Sequence, residues 1–207
     1  LKDYFGKFTF NISPINISGE LKLSSGEKYV EDNLSVNQGK LAIGLRTGVS
    51  FDNPLYYALL TGNSIFGSGA HSKLFNNVRE KLSLCYYAYS RLDKYNGIMM
   101  IGSGIEFDKF QKTKDAILKE LHSVKTGDFT DDELKIAKEY IISTFSSYED
   151  SPGLLTDYYL GMAFSDKFPS ISDVCNEIKK VSREEIIKSF ENVEVDTVYF
   201  LNGKEGK

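Results

Sequence analysis

Histidine is nearly absent from this chain. Its 207 residues include two, His71 and His122, 51 positions apart. A hydrolytic zinc site takes histidines at i, i+3 or i+4 with an acid nearby. His71 is followed by SKLF and His122 by SVKT, so neither has a second histidine within reach on its own element. No metal site is expected on this chain. His71 reads as a polar neighbour of a helix start, and His122 as the flank of an amphipathic helix. Cysteine is as scarce. Cys85 and Cys175 lie 90 residues apart, which is no metal-type spacing. They read as two reduced, mostly buried thiols, because a free cysteine behaves as a small hydrophobe.

Other absences narrow the function further. No apolar run approaches the roughly 20 residues of a spanning helix, so no membrane span is expected. The net charge is −4 and the lysines are interleaved with acids, which leaves no basic stripe for nucleic acid. The opening LKDYFGKF is not a signal peptide and carries no initiator methionine. The chain is therefore expected to be a piece of something longer, and cytoplasmic, since no targeting signal is visible. Gly67-Ser68-Gly69 falls one residue short on each side of a G-x-S-x-G elbow. Gly62-x4-Gly67 opens like a phosphate-binding loop, but Ser68-Gly69 stands where Lys-Ser/Thr is required. Those glycines read as a tight helix connection needing positive φ or close packing.

What is present is an ordinary globular balance, 41% hydrophobic and 26% charged. A chain of this length buries roughly 70% of its unfolded surface and needs no staple. Residues 1–36 read as a lead-in segment or linker with edge strands. Ile12 to Ile17 alternates weakly, and Leu21 to Val30 is edge-strand or linker material. Residues 37–207 form a single α+β domain. Leu41, Ile43 and Leu45 share one face of a strand over Gly39 to Val49. Asp52-Asn53-Pro54 starts a helix to Ile65. A second helix covers Ser72 to Lys81, with Leu74, Phe75 and Val78 on one face. Cys85 to Arg91 and Ile98 to Ile105 form a hairpin about Asn96-Gly97. Asp108 to Val124 is helical. Thr130-x-x-Glu133 and Ser182-x-x-Glu185 are capping boxes for helices to Tyr148 and Phe190. Ser151-Pro152 opens another helix, ending near Gly161. Val193 to Leu201 is a last strand, and Asn202 to Lys207 a polar tail. Hairpins mixed with helices on one sheet face make a two-layer α+β sandwich, with a mostly antiparallel sheet.

Arg79 and Tyr86 flank the junction between the second helix and the hairpin. One reading is a surface arginine and a half-buried strand tyrosine. The other has both pointing into one cleft, where a guanidinium and a phenol donate hydrogen bonds to a peptide carbonyl or developing oxyanion. Strict alternation puts Tyr86 and Ala88 on one strand face and Cys85, Tyr87 and Tyr89 on the other. The three tyrosines then cannot all serve one site.

The run Leu74-Phe75-x-x-Val78-Arg79-Glu80-Lys81-x-x-Leu84-x-Tyr86 resembles the pitrilysin/insulinase family, which includes the mitochondrial processing peptidases. Gln38, Asn63, Gly67-x-Gly69, Ser72, Gly97, Glu133-Leu134-x-x-Ala137-Lys138 and Val195 to Phe200 fit the same pattern, over most of the chain. The resemblance implies the metallohydrolase-like fold of the processing peptidases, with two related halves closing around a chamber. One half carries zinc on H-x-x-E-H plus a downstream Glu. The other lacks it and contributes an arginine and a tyrosine to the substrate backbone. This chain has no H-x-x-E-H, so it looks like the zinc-free, C-terminal-type domain. Arg79 and Tyr86 are then substrate-binding, and no catalytic residue or activity is expected of this chain alone. Zinc is expected on a complementary domain or subunit of the same family. Together they would form a zinc metalloendopeptidase acting on peptides. The alternative is an inactive homologue, a non-catalytic partner or chamber-forming subunit.

Overall fold

The computed structural model describes residues 21–163, 165 and 167–203, together with residues 3, 6 and 7. The alternation expected over Ile12 to Ile17, and residues 204–207 of the expected tail, lie outside the described residues. Five strands form one sheet: β1 (Lys28–Leu34), β2 (Gly39–Arg46), β3 (Cys85–Asp93), β4 (Ile98–Ile105) and β5 (Glu194–Gly203). Their order is β1-β5-β2-β4-β3, with β1 parallel to β5 and every other pair antiparallel. The expected α+β sandwich is what forms.

Register explains which face is covered. Leu41, Ile43 and Leu45 of β2 stand opposite Ser103, Ile101 and Met99 of β4, and Leu41 and Ile43 stand opposite Phe200 and Val198 of β5. Paired residues of neighbouring strands share a face, so this one set forms the buried side. All of them are buried. The opposite side carries Ala42, Gly44, Gly102, Gly104 and Met100, with Met100 exposed. Strand β1 is exposed along its whole length, as befits an edge.

The helices are α1 (Tyr56–Phe66), α2 (Phe110–Lys125), α3 (Asp131–Ser146), α4 (Pro152–Met162), α5 (Ile171–Lys180) and α6 (Arg183–Phe190). Helix α1 is central, touching β3 and the helices α2, α3, α5 and α6. Gly62 permits the approach of α6, since an added Cβ would lie 2.3 Å from the Phe190 ring. Gly67 is as tight, since an added Cβ there would lie 2.5 Å from Ser90 Oγ and 2.7 Å from Leu74 Cδ1. Gly69 supplies positive φ, at +108°. The glycine run is thus packing and turn, as its failed phosphate pattern implied. Thr130 with Glu133 and Ser182 with Glu185 close as reciprocal capping boxes.

Several expectations change. Helix α1 begins at Tyr56, because the Asn53 side chain turns the chain by accepting from Leu55 N at 2.8 Å. The helix expected over Ser72 to Lys81 is a π-helix over Leu74–Lys81. Strand β5 runs through Asn202 and Gly203, which pair with β1, so these two are not tail. Helix α5 was not expected at all. Its signal is a capping box with aspartate in place of glutamate, Ser170-x-x-Asp173, and both reciprocal bonds form.

Candidate functional site

The site begins with an uncommon helix. Leu74 and Val78 are four apart and both buried, which anchors the π-helix on the core. Its end unwinds through widened bonds, Leu82 N to Asn77 O at 3.1 Å and Leu84 N to Val78 O at 3.2 Å. Ser83 then sits at φ 49°, the one non-glycine residue at positive φ among the described residues. Such a residue stores about 1–3 kcal/mol of strain, and both π turns and strained residues gather at functional sites. The consequence is a sharp reversal from the π-helix into β3.

A second irregularity follows within three residues. Cys85 pairs with Ile105 and Tyr87 with Gly104, so Tyr86 is an extra residue with no partner on β4. A bulge of this kind re-aims a side chain and breaks alternation. Cys85 therefore lies on the covered face with Ala88, because their partners Ile105 and Ser103 are both buried. Tyr87 and Tyr89 lie on the open face, stacked with centroids 6.0 Å apart, over Gly104 and Gly102. This corrects the placement from strict alternation, which set Cys85 beside those two tyrosines and Tyr86 beside Ala88. Tyr86 belongs to neither set and is 56% exposed.

The turn and the bulge bring both sequence candidates to one cleft of about 390 Å³, lined by Arg79, Glu80, Ser83, Leu84, Cys85, Tyr86, Glu106 and Lys109. The Arg79 guanidinium rests over the Phe75 ring, 4.7 Å from its centroid, and its Nε is 3.6 Å from Glu80. That pair is exposed and contributes little. Neither the Arg79 side chain nor the Tyr86 hydroxyl has a hydrogen-bond partner among the described residues. Both donors are left for water or a ligand. At the other rim Lys109 Nζ lies 3.1 Å from Glu106 and 3.4 Å from the Ser83 carbonyl. Burial pushes the Cys85 thiol above its ordinary range, opposed by the Ser103 hydroxyl and the Arg79 charge. It is a poor nucleophile there.

The zinc donor set does not fit this chain. His71 Nε2 is 3.0 Å from Ser64 Oγ, and the His71 ring packs on Tyr140 at 4.8 Å. Burial lowers its pKa. His122 stands on α2 and lines a shallow hollow with Lys125 and Glu184. Among the described residues no group of three or more His, Cys, Asp or Glu side chains is placed to hold a metal. Both cysteines are free. Among the same residues no helix is long and apolar enough to cross a membrane.

Sequence reasoning missed Ser83, Glu106 and Lys109 of this cleft. Leu82-Ser83-Leu84 lacks the glycine that normally announces a left-handed turn.

Known proteins share this architecture. The peptidase M16 inactive domain matches residues 1–141. A "probable inactive metalloprotease", YmfF of Bacillus subtilis, is 38% identical over 179 residues, covering 86% of this chain and 42% of that protein. An "uncharacterized zinc protease", YmxG of the same organism, is 26% identical over 72% of this chain and 37% of its own length. The chain thus spans about two fifths of the length of these curated relatives. A conserved protein from Enterococcus faecalis superposes with TM-score 0.83 at 27% identity, over 90% of this chain and 44% of that one. A protease from Helicobacter pylori shares the fold at TM-score 0.81 and 18% identity, over 97% and 51%. The chain belongs to the peptidase M16 family, as its inactive, non-catalytic domain.

Proposed function

We propose that this domain binds and positions an extended peptide for zinc-dependent proteolysis carried out by a complementary, zinc-bearing domain or subunit of the same family. One observation carries the reading: Arg79 and Tyr86, neither with a hydrogen-bond partner among the described residues, line a single cleft. A guanidinium and a phenol are both donors, suited to a peptide carbonyl and to the charge that grows on it during hydrolysis. The cleft holds no activated nucleophile. A zinc ion on the complementary half would supply the attacking water. Residues 37–207 are the working unit in this reading, with β1 (Lys28–Leu34) completing its sheet at the edge. Two free thiols suit a reducing compartment, and the cytoplasm is the location proposed.

A second reading is favoured by the name of the Bacillus subtilis relative, a probable inactive metalloprotease. In it the whole protein is inactive and serves as a binding or chamber-forming partner. Arg79 and Tyr86 keep the same role. Assay of fluorescein-labelled β-casein with the 207-residue chain alone should show no hydrolysis. Chelator-sensitive cleavage by that chain would overturn both readings. With an active zinc half present, Arg79→Ala or Tyr86→Phe should lower turnover on the order of 10²-fold. Full activity in both variants would remove the two residues from the site.

A further inference from the structure

We propose that Ser103 and Thr113 are positioning residues for Tyr86, holding the bulge so that its phenol stays in the cleft. The inference rests on reading Tyr86 as a substrate donor. The bulge has two ways to fit the same number of residues. In the one observed, Cys85 faces Ile105 and Tyr86 is the extra residue. In the other, Cys85 would be extra and Tyr86 would face Ile105, on the covered side of the sheet. A slip of one residue exchanges the faces of the side chains involved. Ala88 opposite Ser103 holds the register beyond the bulge in both.

Two buried hydroxyls pin the chain on either side of the bulge. Ser103 Oγ on β4 donates to the Tyr87 carbonyl at 2.9 Å, just after the bulge. Thr113 Oγ1 on α2 lies 3.3 Å from the Leu84 carbonyl, just before it, and 2.9 Å from the Lys109 carbonyl of its own helix. Ser103 is 1% exposed and Thr113 fully buried, so neither touches a ligand in the cleft. Lys109 Nζ, at 3.4 Å from the Ser83 carbonyl, reinforces the same side from the rim. The carbonyls of residues 83, 84 and 87 are therefore tethered, and Tyr86 is the free residue between them. A carbonyl left without its donor is costly, so removing a hydroxyl loosens the flank it pins and with it the aim of Tyr86.

The test places 3-fluorotyrosine at position 86 of the full-length protein and follows its ¹⁹F resonance. One resonance is expected for the parent. Ser103→Ala and the near-isosteric Thr113→Val should each shift or split it, while Ser103→Thr and Thr113→Ser, which keep the hydroxyl, should restore it. Thermal melts confirm that each variant folds. In parallel, binding of fluorescein-labelled β-casein should weaken about threefold to tenfold in the hydroxyl-deleting variants, the scale of one hydrogen bond. That loss should vanish when Tyr86→Ala is already present, because the hydroxyls act through Tyr86. A resonance unchanged in both variants overturns the inference. So does a binding loss that persists in the Tyr86→Ala background. If Tyr86→Ala itself leaves casein binding intact, the substrate reading fails, and the ¹⁹F resonance alone decides the positioning.

Discussion

Of the eleven residues of α1, nine are buried; of the eight in the π-helix that follows, two are. The two elements are neighbours in sequence and share the Gly67 contact with Leu74. Helix α1 spends its side chains on the core and pairs its polar ones inward, Asn63 with Ser90 at 2.6 Å and Ser64 with His71 at 3.0 Å. The π-helix buries only Leu74 and Val78 and leaves Arg79 facing a cleft. It ends in a strained residue and a bulge, where α1 has neither. Local irregularity of this kind concentrates where a protein gives up packing for presentation. Stability and recognition should therefore separate between the two elements, and mutation can break that division or sharpen it.

The largest effect is expected in α1. Phe66 is fully buried, so Phe66→Ala should lower unfolding free energy by about 3–5 kcal/mol. Urea denaturation reads this, and casein affinity per folded molecule should not change. Arg79→Ala should do the reverse. Loss of a charged donor is expected to cost about 2 kcal/mol of casein binding, with a urea midpoint close to the parent's, as for most exposed substitutions. A large stability loss from Arg79→Ala would erase the contrast. Ser83→Gly relieves the left-handed strain and should stabilise by up to about 1 kcal/mol, against an added entropy cost in the unfolded chain.

The smallest effect concerns the tie between the two elements. Burial depresses the His71 pKa, so the unfolded chain takes up the proton more readily than the folded one. The contribution of neutral His71 is complete above the unfolded value, roughly pH 6.5, and is lost as pH falls below it. The urea midpoint should drop more between pH 7.5 and 5.5 in the parent than in His71→Gln. Equal drops would mean that the His71–Ser64 contact does not feel its burial.

Much of this division was legible in the residues. Period-2 burial on β2, the two Thr/Ser-to-Glu capping boxes and the Asn96-Gly97 turn each state their structure locally. Arg79 and Tyr86 stood out through a family pattern, and spacing alone left them open. What was illegible is what aims them. Leu74 and Val78, four apart, suit an α and a π turn equally. Serine at position 83 gives no sign of positive φ, and no local signal marks Tyr86 as the extra residue of a bulge. Ser103 and Thr113, distant in sequence, hold the carbonyls on either side of that bulge. Helix α5 escaped because aspartate is a less familiar third member of a capping box than glutamate.

The most direct test is the affinity of the full-length protein for labelled β-casein when Arg79→Ala and Tyr86→Phe are combined. The account predicts at least a thirtyfold weaker Kd, about 2 kcal/mol, with an unchanged melting temperature. An unchanged Kd would contradict it, and the cleft between the π-helix and β3 would then be a structural junction with no part in peptide recognition.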